Sequence, residues 1–488
     1  MSDVPTTRIE GDYTEALVFL PEEEIEDSAY EQIQSMVNHP AFRNPVRIQS
    51  DCHYSPSCIV GFTMPLSNRV SPSVVSYDIG CGLLSVKLEN YGFDPTNEED
   101  LLEIDEIVRD TIPMGRSVNN GAVYHMKNDF PWDEFAHKWE TFATNHLDDD
   151  IELEKYHPDE FNPDIEYFKK LCQKVRYDLN RSISGVSSLG SGNHFIEFGL
   201  DSDEELWVTI HSGSRGMGRA IAEYHEERGE RLLNIQEARD ALRDLPEEYL
   251  KYVKFDLEDV SDNNLLKWLQ GSMGESFVDY EALKNEYAGT DEAGKIEEIG
   301  DNLKTAIPDH NSEQDDPAYL EGEEAVEYYV DLAFGQTYAS ENRKAMARSI
   351  AEALDANIVE EIESVHNYID YEDGIIRKGA TPAREGQDVI IPMNMADGTF
   401  LARGKGNEEW NQSVAHGAGR VMSRTQAFEE LNKKKHAEMM GETVATELPT
   451  DEHPQSYKQT DLILSLIDGS TVDIKDHLEP ILNLKAPE

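Results

Sequence analysis

The chain has 488 residues, 98 of them acidic and 43 basic, which gives a formal charge of −55. This charge excludes a nucleic-acid binder that works by bulk electrostatic attraction, because such proteins carry basic faces. With 39% hydrophobic residues the chain can bury a large core, which excludes a disordered acidic tail. No apolar run approaches the roughly 18 residues of a membrane span, and the start of the chain shows no leader pattern, so we expect a cytoplasmic protein with no membrane partner.

The acidic residues also indicate the solvent in which the protein works. Like charges spread over the whole length repel one another and destabilise a compact state in ordinary buffer. In molar salt the Debye length is only about 3 Å, so much of this repulsion is screened. We therefore interpret the chain as a halophile's protein, with an ordinary acidic enzyme as the alternative. The cysteines are too few and too irregularly spaced for a disulfide framework or a paired zinc site; they are Cys52, Cys58, Cys81 and Cys172.

Acid-rich segments alternate along the chain with segments that predict buried strands. The acid-rich stretches at about 92–110, 130–170 and 225–325 predict solvated helices and surface insertions. Between them, β-branched runs punctuated by Gly, Pro, Ser and Asn predict strands that end in tight loops. In chain order these runs are CIVGFTMPL, SPSVVSYDIGCGLLSVKL, LGSGNHFIEFG, LWVTIHSGSRGMG, GQDVIIPMN and GTFLARG. Apolar residues at helical spacing from Glu324 to Leu354 predict one or two long helices.

These elements predict a single large domain of the α+β class. Length alone would allow about three domains. The sequence has, however, no internal repeat and no Gly/Ser-rich or Pro-rich linker that would divide it. We therefore predict one domain over residues 1–488, with buried β-sheets surrounded by helices and with acidic insertions at about 130–170 and 225–325.

Several side chains of the types that bind metals stand in unusual positions. Asp78 and Cys81 lie where a predicted strand runs into a Gly-bracketed turn. His194 comes right after glycines, His211 ends an apolar strand, and SVHNYID contributes His366. Imidazole and thiolate suit Zn, Fe or Co, and a carboxylate also admits Mn. Five ligands are too many for one closed tetrahedral site, but two metals that share a bridging ligand would use them all. A single histidine at a strand end is more often structural, so the combination carries this prediction.

The segment NQSVAHGAGRVMSR predicts a phosphate site that contains an imidazole. His416 is followed by Gly417–Gly419, whose backbone amides can approach phosphate oxygens, and then by Arg420 and Arg424. Between Gly374 and Arg424 there are seven basic and five acidic residues, a local charge of +2 in a chain of −55. The basic residues are Arg377, Lys378, Arg384, Arg403, Lys405, Arg420 and Arg424.

In combination these motifs resemble the RtcB family of RNA ligases. SYDIGCG, GSGNHFIE, HSGSRG, SVHN, RKGATPA and HGAGRVMSR occur in the order, and roughly at the separations, found in that family, and weaker similarity extends from about Glu15 to Lys485. The resemblance implies a GTP-dependent ligase with two Mn²⁺ ions per active site. Such enzymes join an RNA end bearing a 2′,3′-cyclic phosphate or 3′-phosphate to a 5′-hydroxyl end, in tRNA splicing or RNA repair. It also raises an archease-like activator as a partner, beside the RNA itself, and we expect a monomer.

The resemblance assigns roles to individual positions. His416 corresponds to the catalytic nucleophile that takes GMP, and the five metal-type residues correspond to the metal ligands. The positions that correspond to guanine-nucleotide contacts are Asn193, His194, Phe195, Ile196, Glu197, His366, Asn367, Met393, Asn394, Met395, Ala396, His416, Gly417, Ala418, Gly419, Tyr457 and Lys485.

Two segments depart from the family pattern. PMNMADG stands where many members have a GSMG stretch, so that Asn394 replaces a serine, and SDCHYSPSCIVG stands where a DVHxGYGxPIGG-like run is common. These departures bear on base specificity and on the preferred RNA end. Two alternatives remain: a two-metal RNA cyclic phosphodiesterase or phosphatase, and a non-catalytic RNA-end-binding paralogue. His416 argues against the hydrolase, which has no use for a histidine placed for covalent modification, and the complete ligand set argues against the binding protein.

Overall fold

The computed structural model describes residues 5–121, 123–147, 156–157, 160–254, 260–262, 264–265, 278–305 and 317–487. The chain packs as two compact units, one formed by Met1–Tyr224 with Leu320–Glu488 and the other by His225–Tyr319. The second unit falls within the acidic stretch 225–325 and has its own apolar cluster, which includes Tyr252, Leu265 and Leu283. The extent of a single domain over 1–488 stays a prediction. No helix in the described ranges is long and apolar enough to cross a membrane.

The first unit contains two large β-sheets and a small one. Its strands are β1 Thr7–Glu10, β2 Glu15–Val18, β3 Val46–His53, β4 Val60–Pro65, β5 Gly82–Glu89, β6 Phe195–Leu200, β7 Leu206–Ser212, β8 Asn357–Val365, β9 Asn367–Asp370, β10 Ile375–Lys378, β11 Ala380–Pro382, β12 Asp388–Pro392, β13 Thr399–Gly404, β14 Ser413–Ala415 and β15 Val472–Leu484. The strand orders are β1-β2-β3-β4-β10-β9, β12-β13-β15-β6-β7-β5-β8 and β11-β14. Neighbouring strands run antiparallel, except for the parallel pair β2 and β3.

Helices connect and cover these strands. They are α1 Asp27–Val37, α2 Pro72–Val75, α3 Glu98–Thr111, α4 Trp132–His146, α5 Ile165–Lys174, α6 Leu179–Gly185, α7 Arg215–Arg243, α8 Glu247–Leu250, α9 Tyr280–Tyr287, α10 Lys295–Thr305, α11 Gly322–Ala353, α12 Arg424–Glu430, α13 Lys433–Met439 and α14 Thr460–Ile467. Short 3₁₀ turns lie at Glu22–Glu24, Glu408–Trp410, Thr450–Glu452 and Pro454–Ser456. The α+β class predicted from the sequence is confirmed.

One face of the seven-stranded sheet packs on helices, and the other face carries the site. Because successive side chains of a strand point to opposite faces, alternate residues of β5 and β7 separate into two sets. Val86 and Val208 belong to the apolar core that includes Ile350 of α11 and Val108 of α3. The other set includes His211, which follows the buried Thr209 by two residues. The candidate site therefore lies on the face of the sheet opposite the helices.

Most of the predicted elements form as expected. The long helix predicted from Glu324 to Leu354 is α11, and the predicted strand runs contain β4, β5, β6, β7, β12 and β13. One run differs, because SPSVV begins with the single-turn helix α2, which has Pro72 at its first position where a proline's missing N–H costs nothing.

The acid-rich stretches contribute more to the core than a surface insertion would. In the described part of 130–170, α4 buries Phe135 and Phe142. Phe135 packs at 5.8 Å between ring centroids on Phe334 of α11, and Phe142 packs at 4.6 Å on Tyr329. Within 92–110, α3 is amphipathic and buries Leu101 among other residues. Most of the acidic residues lie on the outer faces of these helices, while the buried Asp105 of α3 is paired with Arg109.

Candidate active site

The five metal-type residues of the sequence meet at one point in the first unit. They form two groups of potential ligands, Cys81 with His211 and His366, and Cys81 with Asp78 and His194. Within each group the donor atoms lie within 4.8 Å of one another. The Cys81 Sγ atom lies 3.3 Å from His211 Nε2 and 3.5 Å from His194 Nε2. Cys81 belongs to both groups, so a bridging position for its sulfur is consistent with the geometry.

Strand ends and a tight turn place these side chains. Cys81 lies between Gly80, whose φ is +70°, and the first residue of β5, while His211 lies near the end of β7. His366 follows β8 directly, and its backbone N–H donates to the Cys81 carbonyl at 2.9 Å. A Cβ at Gly80 would stand 2.8 Å from the Cβ of Ala339, so the turn comes closer to α11 than a larger residue would allow.

The Nε2 atoms of the three histidines lie in the cluster, and a hydrogen bond orients the ring of His194. The Nδ1 atom of His194 lies 2.8 Å from the Leu189 carbonyl oxygen, so it carries the proton and donates it. The Nε2 atom of His194 lies 2.8 Å from the Oδ2 atom of Asp78, to which it donates a hydrogen bond when the ring carries both protons. The Nε2 atoms of His211 and His366 lie only 3.3 Å apart, and His366 Nδ1 has no partner among the described residues.

The site favours protonation states that suit metal coordination by the imidazoles. Burial lowers the pKa of His211 and of His366 well below the usual value, so both rings are neutral at pH 7. Burial opposes ionisation of Asp78, but the adjacent His194, with help from Cys81 and Arg215, outweighs it and lowers the pKa of Asp78 to about 2. Burial, together with Asp78, raises the pKa of the Cys81 thiol well above its usual value. Burial and Asp78 therefore disfavour the thiolate of Cys81, which a bound cation would stabilise.

This donor set fits transition-metal ions. The Nε2 atoms of His211 and His366 lie 3.3 Å apart, and both rings are neutral. Such a close approach of two imidazole nitrogens is typical of ligands that bind the same cation. One thiol, one carboxylate and three imidazoles can serve two ions that share the sulfur, which would satisfy all five side chains.

A cavity of about 740 Å³ adjoins the cluster, and its wall includes His211 and His366. Most of the predicted nucleotide-binding positions line it: Asn193, Phe195, Glu197, His366, Asn367, Met393, Asn394, Met395, His416, Gly417, Ala418, Gly419, Tyr457 and Lys485. The structure thus brings together residues that are separated by almost 300 positions in the sequence. A volume of this size is typical of sites for small organic ligands.

Three of the predicted nucleotide positions do not line this cavity. Ile196 is fully buried in the apolar core on the helix-covered face of the sheet, because it alternates along β6 with Phe195 and Glu197. Ala396 lies in the wall of a neighbouring depression. His194 lies in the metal-type cluster beside the cavity.

His416 is held by a carboxylate that sequence reasoning missed. Its Nδ1 atom lies 2.5 Å from Asp51 Oδ2 and 2.8 Å from the Gly379 carbonyl oxygen. Both neighbours accept, so Nδ1 carries the proton and Nε2 keeps its lone pair. Asp51 is fully buried on β3, and it also accepts the backbone N–H of His416 at 3.2 Å. The His416 ring lies 4.6 Å, between centroids, from the ring of His366.

The glycines after His416 allow close packing of the backbone, as well as the approach of phosphate oxygens to their amides. A Cβ at Gly417 would stand 2.7 Å from the Pro392 carbonyl oxygen. Gly419 has a φ of +72°, and a Cβ there would stand 2.4 Å from the carbonyl oxygen of Asp51. The turn therefore lies directly against β3, the strand that carries the carboxylate partner of His416.

The basic residues of 374–424 are mostly ion-paired. Arg377 and Arg384 contact Asp370 at 2.7 and 2.5 Å, and Arg424 contacts Glu452 at 2.9 Å. The remaining pairs are Arg403 with Asp388, Lys405 with Asp473, and Arg420 with Glu452. Lys378 lines the cavity and has no salt bridge with any residue of the described ranges. The positive charge expected from this segment is therefore partly neutralised.

Glu452 organises the cations at one side of the cavity, and the sequence patterns did not point to it. It lies 2.8 Å from Lys485 Nζ and accepts the Tyr457 hydroxyl at 2.8 Å. Burial opposes its ionisation, but Lys485, Arg424 and Arg420 outweigh this and lower its pKa to about 2. The Lys485 Nζ atom also lies 5.5 Å from the centroid of the Phe195 ring.

An α+β fold, a cluster of metal-type side chains and a histidine hydrogen-bonded through Nδ1 beside an open cavity are features that phosphoryl-transfer and nucleotidyl-transfer enzymes share. The comparisons with known proteins specify this class further. A family model described as tRNA-splicing ligase RtcB matches residues 32–263 and 295–486. The chain belongs to the RtcB family.

Curated relatives cover nearly the whole chain. The RNA-splicing ligase RtcB of Escherichia coli (strain K12) is 26% identical over 466 residues, which is 90% of this chain and 90% of that protein. The tRNA-splicing ligase RtcB of Methanococcus maripaludis is 24% identical over 530 residues, covering 96% of this chain and 93% of that protein.

Proposed function

We propose that this protein is an RNA ligase that joins RNA 2′,3′-cyclic phosphate or 3′-phosphate ends to 5′-hydroxyl ends, with GTP as the energy source and a His416–GMP intermediate. The observation that carries this proposal is the hydrogen bond between His416 Nδ1 and the buried Asp51, which leaves Nε2 as a nucleophile in the cavity wall. Family membership supports RNA as the substrate. The residues that would hold two Mn²⁺ ions are Asp78, Cys81, His194, His211 and His366.

The reaction consists of two transfers of a guanylate group, followed by the joining of the two RNA ends. His416 Nε2 attacks the α-phosphorus of GTP, the bond to the β-phosphate oxygen breaks, and pyrophosphate leaves. A 3′-phosphate oxygen of the RNA then attacks the same phosphorus, which restores His416 and gives an RNA 3′-pp-5′-G end. The 5′-hydroxyl of the second RNA attacks the 3′-phosphorus, and GMP leaves. A cyclic phosphate is first hydrolysed to the 3′-phosphate.

The protein groups act by orienting and by balancing charge. Asp51 and Gly379 fix the His416 tautomer and stabilise the positive charge that its ring gains on attack. Lys378 and Lys485, both at the cavity wall, provide positive charge for phosphate oxygens. When bound, Mn²⁺ would supply Lewis-acid stabilisation of the phosphate charge.

Guanine fits the acceptor-rich end of the cavity. Glu197 accepts hydrogen bonds from Thr399 Oγ1 at 2.7 Å and Asn483 Nδ2 at 3.0 Å, and its carboxylate can accept more than these two. Asn483 Oδ1 is a buried acceptor without a partner among the described residues, and it belongs to a residue of the cavity wall. Because the Watson–Crick edge of guanine carries two neighbouring N–H donors, these acceptors support GTP over ATP.

We also propose that the enzyme is a monomer that works in a saline cytoplasm, with an archease-like activator. The charge of −55 supports the saline environment. The resemblance to the RtcB family suggests the activator, and the monomeric state is an expectation of ours.

The decisive test is incubation with Mn²⁺ and GTP labelled at the α-phosphate, followed by denaturing electrophoresis. The ligase requires a labelled protein band that His416→Ala abolishes while bound metal, measured by elemental analysis, is retained. RNA with a cyclic phosphate that is opened without any labelled band would instead indicate the hydrolase. Equal labelling of the parent and His416→Ala would show that another residue is the nucleophile.

A further inference from the structure

Arg343 on α11 connects three of the segments that carry the metal-type ligands. Its guanidinium is fully buried, and Nη1 donates to the carbonyl oxygens of Gly80 and Ser212, each at 2.7 Å. Nε and Nη2 donate to Glu363 Oε1 at 3.1 and 2.7 Å. Gly80 precedes Cys81, Ser212 follows His211, and Glu363 lies three residues before His366. One side chain therefore fixes the backbone next to two ligands and the strand that leads to a third.

Asn342, the preceding residue, extends this network to His194. Its Nδ2 donates to the carbonyl oxygens of Ser188 and Gly213 at 3.1 and 3.0 Å, and its Oδ1 accepts the Ser188 N–H at 3.1 Å. Its Nδ2 also lies 3.1 Å from Ser212 Oγ, which in turn donates to the Leu189 carbonyl at 2.7 Å. That same carbonyl oxygen accepts the Nδ1 proton of His194.

The position of α11 explains how two neighbouring residues reach so many segments. The side chains of consecutive residues in an α-helix point about 100° apart, so Asn342 and Arg343 contact different loops from the same helical turn. The helix also lies directly on the ligand turn, since a Cβ at Gly80 would stand 3.0 Å from the Gln336 Cα atom. Gln336 in addition exchanges hydrogen bonds with the backbone of Ile369, at 2.9 and 3.2 Å.

We propose that Asn342 and Arg343 form a positioning pair that sets the spacing of the metal ligands, and that Arg343 in particular determines how tightly the site binds metal. Within the described ranges neither residue donates a hydrogen bond to a predicted ligand side chain, and the hydrogen bonds of the pair act through the backbone of the ligand segments. This inference rests on the metal cluster of the proposed function. Partners outside the ligand shell commonly change metal affinity about 10- to 100-fold.

Arg377 provides a matched control, because it is an equally buried arginine in the same unit. It is fully buried, contacts Asp370 at 2.7 Å and donates to Ser413 Oγ at 2.9 Å. Within the described ranges its side chain bonds to the side chains of Tyr368, Asp370 and Ser413 and to the Asn411 carbonyl oxygen. Tyr368 follows His366 by two residues, but Arg377 holds no backbone group next to a metal-type ligand, whereas Arg343 holds two. Loss of either arginine removes one charged partner of a carboxylate, Glu363 or Asp370, so both substitutions should lower the thermal midpoint.

The test compares Arg343→Met, Arg343→Lys and Arg377→Met in the full chain, with Mn²⁺ alone as the probe. Binding is followed by the electron paramagnetic resonance signal of free Mn²⁺, and ligand geometry by the thiolate-to-metal absorption after addition of Co²⁺. We expect Arg343→Met to raise the Kd for Mn²⁺ about 10- to 100-fold and to change the Co²⁺ spectrum. Arg377→Met should stay within about threefold of the parent, since it lies outside the network.

Arg343→Lys keeps the charge but cannot donate to two carbonyls and a carboxylate in one plane, so its affinity should lie between those of the parent and Arg343→Met. Parental affinity in folded Arg343→Lys, or an equal loss in Arg343→Met and Arg377→Met, would overturn the positioning role. If Arg343→Met does not fold, the Mn²⁺ affinity of Arg343→Lys alone tests the positioning role. A parent chain that binds no Mn²⁺ would refute the proposed metal site itself and is thereby distinguished from failure of this inference.

Discussion

The Nδ1 atom of His416 lies 2.5 Å from the Oδ2 atom of Asp51, although the two residues are 365 positions apart. The carboxylate is fully buried on β3, and the imidazole lies in the cavity wall. This pairing gives His416 one defined tautomer, with the lone pair on Nε2. A reactive nitrogen is thereby held beside a cluster of metal-type ligands, which the HGAGR motif by itself does not specify.

Asp51→Asn should slow the labelling of His416 by GTP about 10²-fold or more, because the amide no longer stabilises the charge that the ring gains. Metal content should remain that of the parent, since Asp51 belongs to neither ligand group. Rates are measured by quenching the labelling reaction at successive times. Unchanged rates in Asp51→Asn would remove Asp51 from the mechanism.

Cys81→Ser should lower the Mn²⁺ bound per chain and abolish ligation, because the sulfur belongs to both ligand groups. Cys172→Ser is the matched control, since Cys172 is also buried in the first unit but lies near Ser182, at 3.7 Å between Sγ and Oγ. Elemental analysis of dialysed protein gives the stoichiometry. If Cys81→Ser keeps full metal content and activity, Cys81 serves only as a small buried apolar residue and not as a ligand.

Glu197 should make stability depend on pH near neutrality. Burial raises its pKa from 4.5 to about 7, although Thr399, Asn483 and Lys485 oppose the shift. A raised pKa favours the folded state while the group is protonated, so this contribution is complete below pH 4.5 and is lost as pH rises through 7.

Relative to Glu197→Gln, the parent should therefore lose up to about 3 kcal/mol of unfolding free energy between pH 5 and 8. Urea unfolding of both proteins across this range gives the difference. A difference in unfolding free energy that stays constant with pH would show that Glu197 is ionised throughout this range.

Glu197→Gln should also lose the preference for GTP over ATP.

Salt should help this protein rather than inhibit it. An RNA binder with 6–10 phosphate contacts loses about 10³–10⁵ in affinity between 50 and 200 mM salt. A chain of charge −55 instead gains stability as salt screens its carboxylates, and phosphate contacts inside the cavity are screened less than surface contacts.

We expect ligation to persist or rise from 0.1 M to about 2 M KCl, and the thermal midpoint to rise in parallel. Ligation rate and thermal midpoint are measured over the same series. Activity that collapses above a few hundred millimolar, with an unchanged midpoint, would contradict both the halophile interpretation and the buried phosphate contacts.

Local patterns in the sequence determined much of this fold. Apolar periodicity predicted α11, and β-branched runs predicted β4, β5, β6, β7, β12 and β13, because both signals depend on residues close in the chain. The same patterns did not reveal that α3 and α4 pack into the core, since the many acidic residues on the outer faces of these helices make each stretch as a whole polar in composition.

The site divides in a similar way. The sequence by itself determined the chemical types, because Asp78, Cys81 and the three histidines are residues of metal-binding type at or near the ends of predicted strands, and His416 stands before three small residues. Only the tertiary structure decided their partners: Asp51 for His416, Glu452 for Lys485, and Arg343 for the ligand-bearing turns. These hydrogen bonds join residues that are tens to hundreds of positions apart. Local sequence patterns do not predict such pairs, because only the order of strands in the sheets and the packing of helices bring the residues within 3 Å.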